Sequence, residues 1–238
     1  MIQFNWTFEN NRLNRMNRLA LSIIMTVEYS CFISYRHNPS GTSEKLIKDL
    51  YEALSDEIGV YISDKKIFID DEPGGGAFLH DKIASALCRS ACMIMVFTPT
   101  YFELNHLYCA REFKAMEELE RVRLQKIGLP KDDHGLIIPI VFRGKDYFPR
   151  YIQRKYVDFD GYMPSKGEEN LLYSVSKYNG AISRIAKYIY ECCMFFEDCW
   201  DISLECKNFR LPTDSDVKPW VESLKVPNVP FPNTSGVF

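Results

Sequence analysis

No stretch of this 238-residue chain reaches the roughly 18–20 consecutive apolar residues that a membrane-crossing helix requires. Neither sign of charge dominates: 29 Lys and Arg stand against 32 Asp and Glu, a net charge of -3. The first absence argues against a membrane protein. The second removes the basic field that grips a phosphate backbone, so nucleic acid is not an expected partner. Eight cysteines are present, yet none is spaced as C-x-x-C. Four lie in apolar strand-like or helical stretches, where a free thiol packs as a small hydrophobe, and a reduced, cytoplasmic protein is expected. Cys88, Cys92, His106 and Cys109 lack the zinc spacings, so they read as buried thiols and no metal is expected. No G-x-S-x-G occurs, and Pro73-Gly-Gly-Gly76 lacks the GK[ST] of a phosphate-binding loop.

What is present is a strand–helix alternation. With 46% hydrophobic and 26% charged residues, the chain can bury a sizeable core. Tyr29–Tyr35 is a short apolar run ended by the turn formers Arg36 to Gly41. Leu46, Ile47, Leu50, Tyr51, Leu54 and Ile58 follow at helical spacing, with Gly59 as a stop signal. A strand over Lys66–Asp70 runs into Asp71 to Gly76, and Phe78, Ile83, Ala86 and Leu87 mark a second helix. Ala91–Phe97 is apolar throughout, which in a strand means burial on both faces. A long helix from about His106 to Ile127 comes next. Leu136–Phe142 is a fourth strand whose Pro139 argues for an edge or interrupted position. Tyr156–Phe159 is a weaker fifth, and Ala181–Tyr190 is a closing amphipathic helix.

This order predicts a flavodoxin-like five-stranded parallel sheet, order 2-1-3-4-5, with helices on both faces. Residues 1–27 read as an N-terminal arm. Within it, Arg12, Arg15 and Arg18 precede the apolar Leu19 to Val27 as in a short targeting segment, but no A-x-A site follows. Residues 28–193 form the single domain. Residues 194–238 read as a Pro-rich extension, largely irregular, since five of the twelve prolines fall after Leu211.

Open parallel sheets bind ligands beyond the carboxyl ends of their strands, where the strand order reverses. That rule gathers Tyr35-Arg36-His37, the Thr98 to Tyr101 loop and the start of the long helix, with the Asp70 to Gly76 loop beside them. On a helical wheel Arg111, Lys114, Glu117, Glu118, Arg121 and Gln125 share a solvated side, whereas Glu112 sits opposite, among Tyr108, Cys109, Ala115 and Met116. A carboxylate so placed is a candidate for ligand binding or chemistry. It is equally a candidate to snorkel outward or to pair with an arginine such as Arg123.

Four segments resemble, in order, the motifs of the Toll/interleukin-1 receptor (TIR) domain family. Phe32-Ile-Ser-Tyr-Arg36 is similar to its first-strand box. Ile69-Asp70 with Pro73-Gly74 and a helix from His80 is similar to its second box, a mobile loop. Ser90 to Pro99 followed by Tyr101 resembles the central strand, and Tyr108-Cys-Ala-Arg-Glu112 resembles Trp-Cys-x-x-Glu with Tyr replacing Trp. The resemblance implies an enzyme that cleaves the nicotinamide–ribose bond of NAD, giving ADP-ribose or a cyclic isomer that signals to a downstream effector in antiphage or innate immune defence. Glu112 is its implied catalytic residue, NAD its substrate rather than a cofactor, and self-association through TIR domains its implied assembly. Ser34, Tyr35, Arg36, Asp70, Thr98 and Tyr108 are the implied substrate-binding residues, with Arg36 for the diphosphate and Tyr108 for base or sugar. Pro73, Gly74, Gly75 and Gly76 form the implied loop. A non-catalytic adaptor, or an effector that mimics host adaptors, is the alternative the family also offers.

Overall fold

The computed structural model describes residues 27–37, 42–70, 77–127, 135–152, 154–159, 171–199 and 202–224. Most of the N-terminal arm, the loop Pro73 to Gly76 and the last fourteen residues lie outside this set. The described elements are β1 (Tyr29–Tyr35), α1 (Thr42–Gly59), β2 (Lys66–Ile69), α2 (Ala77–Cys88), β3 (Ser90–Phe97), α3 (Tyr108–Ile127), β4 (Ile137–Val141), β5 (Val157–Asp158), α4 (Leu171–Cys199), α5 (Ser203–Lys207) and α6 (Asp214–Ser223). All strand pairings are parallel, in the order β2-β1-β3-β4-β5. The expected five-stranded, doubly wound sheet is what forms.

Burial explains the patterning. All eight residues of β3 are buried, because it has strands on both edges and helices on both faces. On β1, Cys31 lies toward α4, near Cys193, while Ser34 lies toward α3. Alternation along one strand thus sends a thiol into the core and a hydroxyl to the opposite helix. α1 and α4 cover one face; α2 and α3 cover the other.

Pro139 is in the second strand from the edge and pairs with Met95 of β3. The amides of Met93 and Phe142 tie residues 136 and 142 to β3, whereas the Val141 carbonyl accepts from Phe159 on the β5 side. Odd-numbered residues of β4 therefore face β5, and the N–H that Pro139 lacks points to where the two-residue β5 pairs only Ile140 and Val141. The interruption expected from the sequence is real, although the strand is not an edge.

Two expectations are corrected. Among the described residues of the C-terminal extension, helices stand where irregular chain is expected: α4 continues to Cys199, and α5 and α6 follow. α6 is closed at its start by a capping box between Thr213 and Asp216. Its Trp220 stacks on Phe113 of α3 at 5.5 Å and 5°, while Val217 and Val221 join Leu107 and Ala110 in a small apolar cluster. Periodicity over ten residues containing Pro219 is too short to reveal such a helix, and packing on α3 supplies what propensity does not. The second correction is that Cys88 is not a free thiol but is disulfide-linked to Cys206 of α5. Two cysteines 118 residues apart in sequence carry no local sign of pairing. Among the described residues no helix is long and apolar enough to cross a membrane.

Candidate functional site

A cleft of about 190 Å³ opens at the carboxyl ends of β1 and β2, against the first turns of α3. Its walls include Tyr35 at the end of β1, Arg36 and His37 after it, Asp70 after β2, Leu79 and Ile83 of α2, and His106, Tyr108, Cys109 and Glu112. The strand order reverses between β1 and β3, so the topology places the start of α3 over the gap where a ligand can enter.

Glu112 is buried, at 7% exposure. Ser34 donates its hydroxyl proton to Glu112 Oε2 at 2.5 Å, and the Ser34 hydroxyl is in turn 2.6 Å from the Tyr101 hydroxyl. Burial pushes the carboxyl up to about 7; the Ser34 hydrogen bond opposes this, Asp70 adds to it and Arg111 counters it. Among the described residues no cation forms an ion pair with Glu112. Arg111, its chain neighbour, instead donates to the Pro212 carbonyl at 2.6 Å and approaches Asp214 at 3.5 Å. Arg123 is engaged with Glu205 and with the carbonyls of Ser90 and Cys88. The arginine-paired reading of Glu112 is excluded for Arg123, and so is snorkelling.

The rim is aromatic and loosely charged. Tyr108 is 40% exposed, stacks on His80 at 5.3 Å and carries the Arg111 guanidinium 5.5 Å from its centroid. Tyr35 donates its hydroxyl to the Asp70 carbonyl at 3.0 Å, tying the ends of β1 and β2 together. Arg36 and Glu103 approach at 3.8 Å. The Cys109 thiol donates to the Tyr35 carbonyl at 3.4 Å, and burial, then the nearby Glu112, hold that thiol protonated well above its usual range.

The cleft thus brings together Tyr35, Arg36, Asp70, Tyr108 and Glu112, with Ser34 behind Glu112. Thr98 is not among them. Its hydroxyl lies 3.2 Å from that of Thr100, and its carbonyl accepts the Tyr101 amide, so it shapes a turn rather than the cleft. Leu79 and Ile83 of α2 also line the cleft, with His106 just before α3 and Cys109 in its first turn. Cys109 sits three positions before Glu112 and was legible by helical spacing. Leu79 and Ile83 are ordinary apolar helix positions, which no local signal separates from core.

A doubly wound α/β domain whose switch-point cleft ends in one buried carboxylate is the class this geometry defines. A family model for the TIR domain matches residues 31–172, and the chain belongs to that family. Among solved structures, the chain is similar to the TIR domains in a structure of the activated Roq1 resistosome directly recognizing the pathogen effector XopQ. There it shares 18% identity, with 67% of this chain and 84% of the other covered, at a TM-score of 0.31. No curated protein matches it by sequence.

Proposed function

We propose that this chain cleaves the bond between nicotinamide and ribose in NAD, with Glu112 facing the sugar. The observation that supports this best is a buried carboxylate at the end of a cleft, met by a hydroxyl rather than a cation. In NAD the pyridinium nitrogen already carries positive charge. As the N-glycosidic bond breaks, its electron pair stays with nicotinamide, which leaves neutral, and the positive charge passes to the ribosyl ring as an oxocarbenium-like ion. A carboxylate within reach stabilises that ion and accepts hydrogen bonds from the ribose hydroxyls. Water then adds to give ADP-ribose and a proton, or an internal nucleophile of the same molecule adds to give a cyclic isomer.

The cleft is smaller than the roughly 300 Å³ and above that encloses a whole drug-sized ligand, so it suits one end of the dinucleotide. Tyr108 offers a ring to that end and Arg36 a fork to the diphosphate. Self-association of TIR domains, a cytoplasmic setting and a downstream effector that senses the nucleotide product, in antiphage or immune signalling, complete the reading.

The test is chromatographic: nicotinamide released from NAD by concentrated wild type and by Glu112→Gln. The variant is expected to lose about 10²- to 10³-fold in rate. Because the ionised form does the work, wild-type kcat/KM is expected to rise with pH through a midpoint near 7. Equal release by the two proteins removes Glu112 from the chemistry, and no release by either favours a role in assembly alone.

A further inference from the structure

We propose that Tyr101 and Ser34 form a two-hydroxyl positioning chain that pins one oxygen of Glu112 and favours its ionised form, an inference that rests on Glu112 being the reacting carboxylate. A serine hydroxyl has a single proton, and here it is given to Glu112 Oε2 at 2.5 Å. The 2.6 Å contact between Ser34 and Tyr101 must then be made by the phenol proton. The chain therefore runs in one direction, from phenol to hydroxyl to carboxylate. A chain that ends in a donor holds a carboxylate more strongly than a neutral carboxyl, and each link polarises the next.

Its members come from three separate elements. Ser34 is on β1, Glu112 on α3, and Tyr101 in the turn after β3, where its amide donates to the Thr98 carbonyl. Tyr101 is 0% exposed and Ser34 1%, so no solvent replaces either hydroxyl. The Tyr101 ring lies against Phe97 and, edge on, Phe102 at 4.7 Å, which fixes the phenol before any ligand arrives. With Oε2 occupied from behind, Oε1 is the oxygen left for the ribose.

The remaining charged groups around the cleft act less directly. Asp70, from the end of β2, opposes ionisation, while Arg111 on α3 favours it. After β1 come Arg36, directed to Glu103 of the segment before α3, and His37, its ring tilted against that of Tyr35. His80 of α2 lies against Tyr108, and His106 precedes α3. None of these four hydrogen-bonds to Glu112, which Ser34 meets instead. The thiol of Cys109 and the phenols of Tyr35 and Tyr108 complete the set.

The experiment compares full-length wild type, Ser34→Ala, Ser34→Thr and Tyr101→Phe, with Glu112→Gln as the blank. Two titrations are read: the carboxylic-acid infrared band of Glu112, taken as a difference against the blank, and the pH profile of nicotinamide release. The midpoint is expected to rise by about one pH unit or more in Ser34→Ala, since a hydrogen bond to a charged group is lost. A smaller rise is expected in Tyr101→Phe, with Ser34→Thr restored to the wild-type value. An unmoved infrared midpoint in folded Ser34→Ala overturns the proposal. An unmoved midpoint in Tyr101→Phe strikes Tyr101 from it, and that variant carries the test if Ser34→Ala does not fold. An infrared midpoint that moves while no protein releases nicotinamide supports the chain and overturns NAD cleavage instead.

Discussion

Helix α3 carries two buried carboxylates eight residues apart, and their surroundings differ in kind. Glu120, 2% exposed, accepts two guanidinium N–H groups from Arg154 at 2.7 and 2.9 Å and the Leu136 amide at 2.6 Å. Glu112, 7% exposed, accepts one serine hydroxyl and faces a cleft. The Glu120 site is so tightly closed that a Cβ on Gly135, which has φ +61°, would collide with the carboxylate. One end of the helix has its charge fully compensated and the other does not. A compensated carboxylate locks α3 to the β4 side of the sheet. An under-compensated one retains an appetite for positive charge, and a ribosyl cation is positive charge.

The largest expected effect comes from breaking the compensated site. Glu120→Ala removes the carboxylate that meets both the buried Arg154 guanidinium and the Leu136 amide, a loss of about 3–5 kcal/mol in stability. Chemical denaturation measures it, and nicotinamide release per folded molecule is expected to stay near wild type. If Glu120→Ala folds normally but loses its specific activity, the division between the two sites fails.

Breaking the uncompensated site should have the opposite sign. The Glu112 carboxyl has its folded value raised to about 7 from an ordinary 4.5. Below about pH 4.5 both folded and unfolded states are protonated and nothing is gained or lost. As pH rises, the unfolded chain releases its proton first, so native stability falls until about pH 7 and then stays lower, by about 3 kcal/mol at most. Glu112→Gln removes that penalty. Its thermal midpoint is therefore expected to exceed that of wild type at pH 8, with the difference vanishing near pH 4. A variant less stable than wild type at pH 8 would show that the carboxylate is a structural anchor after all.

The smallest effect sharpens the outline of the cleft. Thr98→Ala removes a hydroxyl that lies 3.2 Å from that of Thr100, outside the cleft. Nicotinamide release is expected to change by less than about twofold, within the range of surface substitutions of about ±0.5 kcal/mol. A loss of tenfold or more would return Thr98 to the substrate-binding set.

Much of this molecule was legible along the chain. The apolar runs at 29–35 and 91–97, the helical spacing of Leu46 to Ile58 and the turn residues between them define strands and helices by local rules, and their alternation leaves little choice of topology. The wheel also put Glu112 on the wrong side for a charge. It could not separate Glu112 from Glu120 and Arg123, which point into the same side of α3. The partners that tell them apart are Ser34, Arg154 and Glu205, at sequence distances of 78, 34 and 82 residues. The covering of α3 by Trp220 and the pairing of Cys88 with Cys206 are of the same kind. Local periodicity determines which side chains leave water, because it depends only on neighbours three and four residues away. Whether a charge taken out of water is met by another is decided by segments brought together in folding, and that difference in compensation is what makes Glu112 the candidate for chemistry and Glu120 a fastening of the fold.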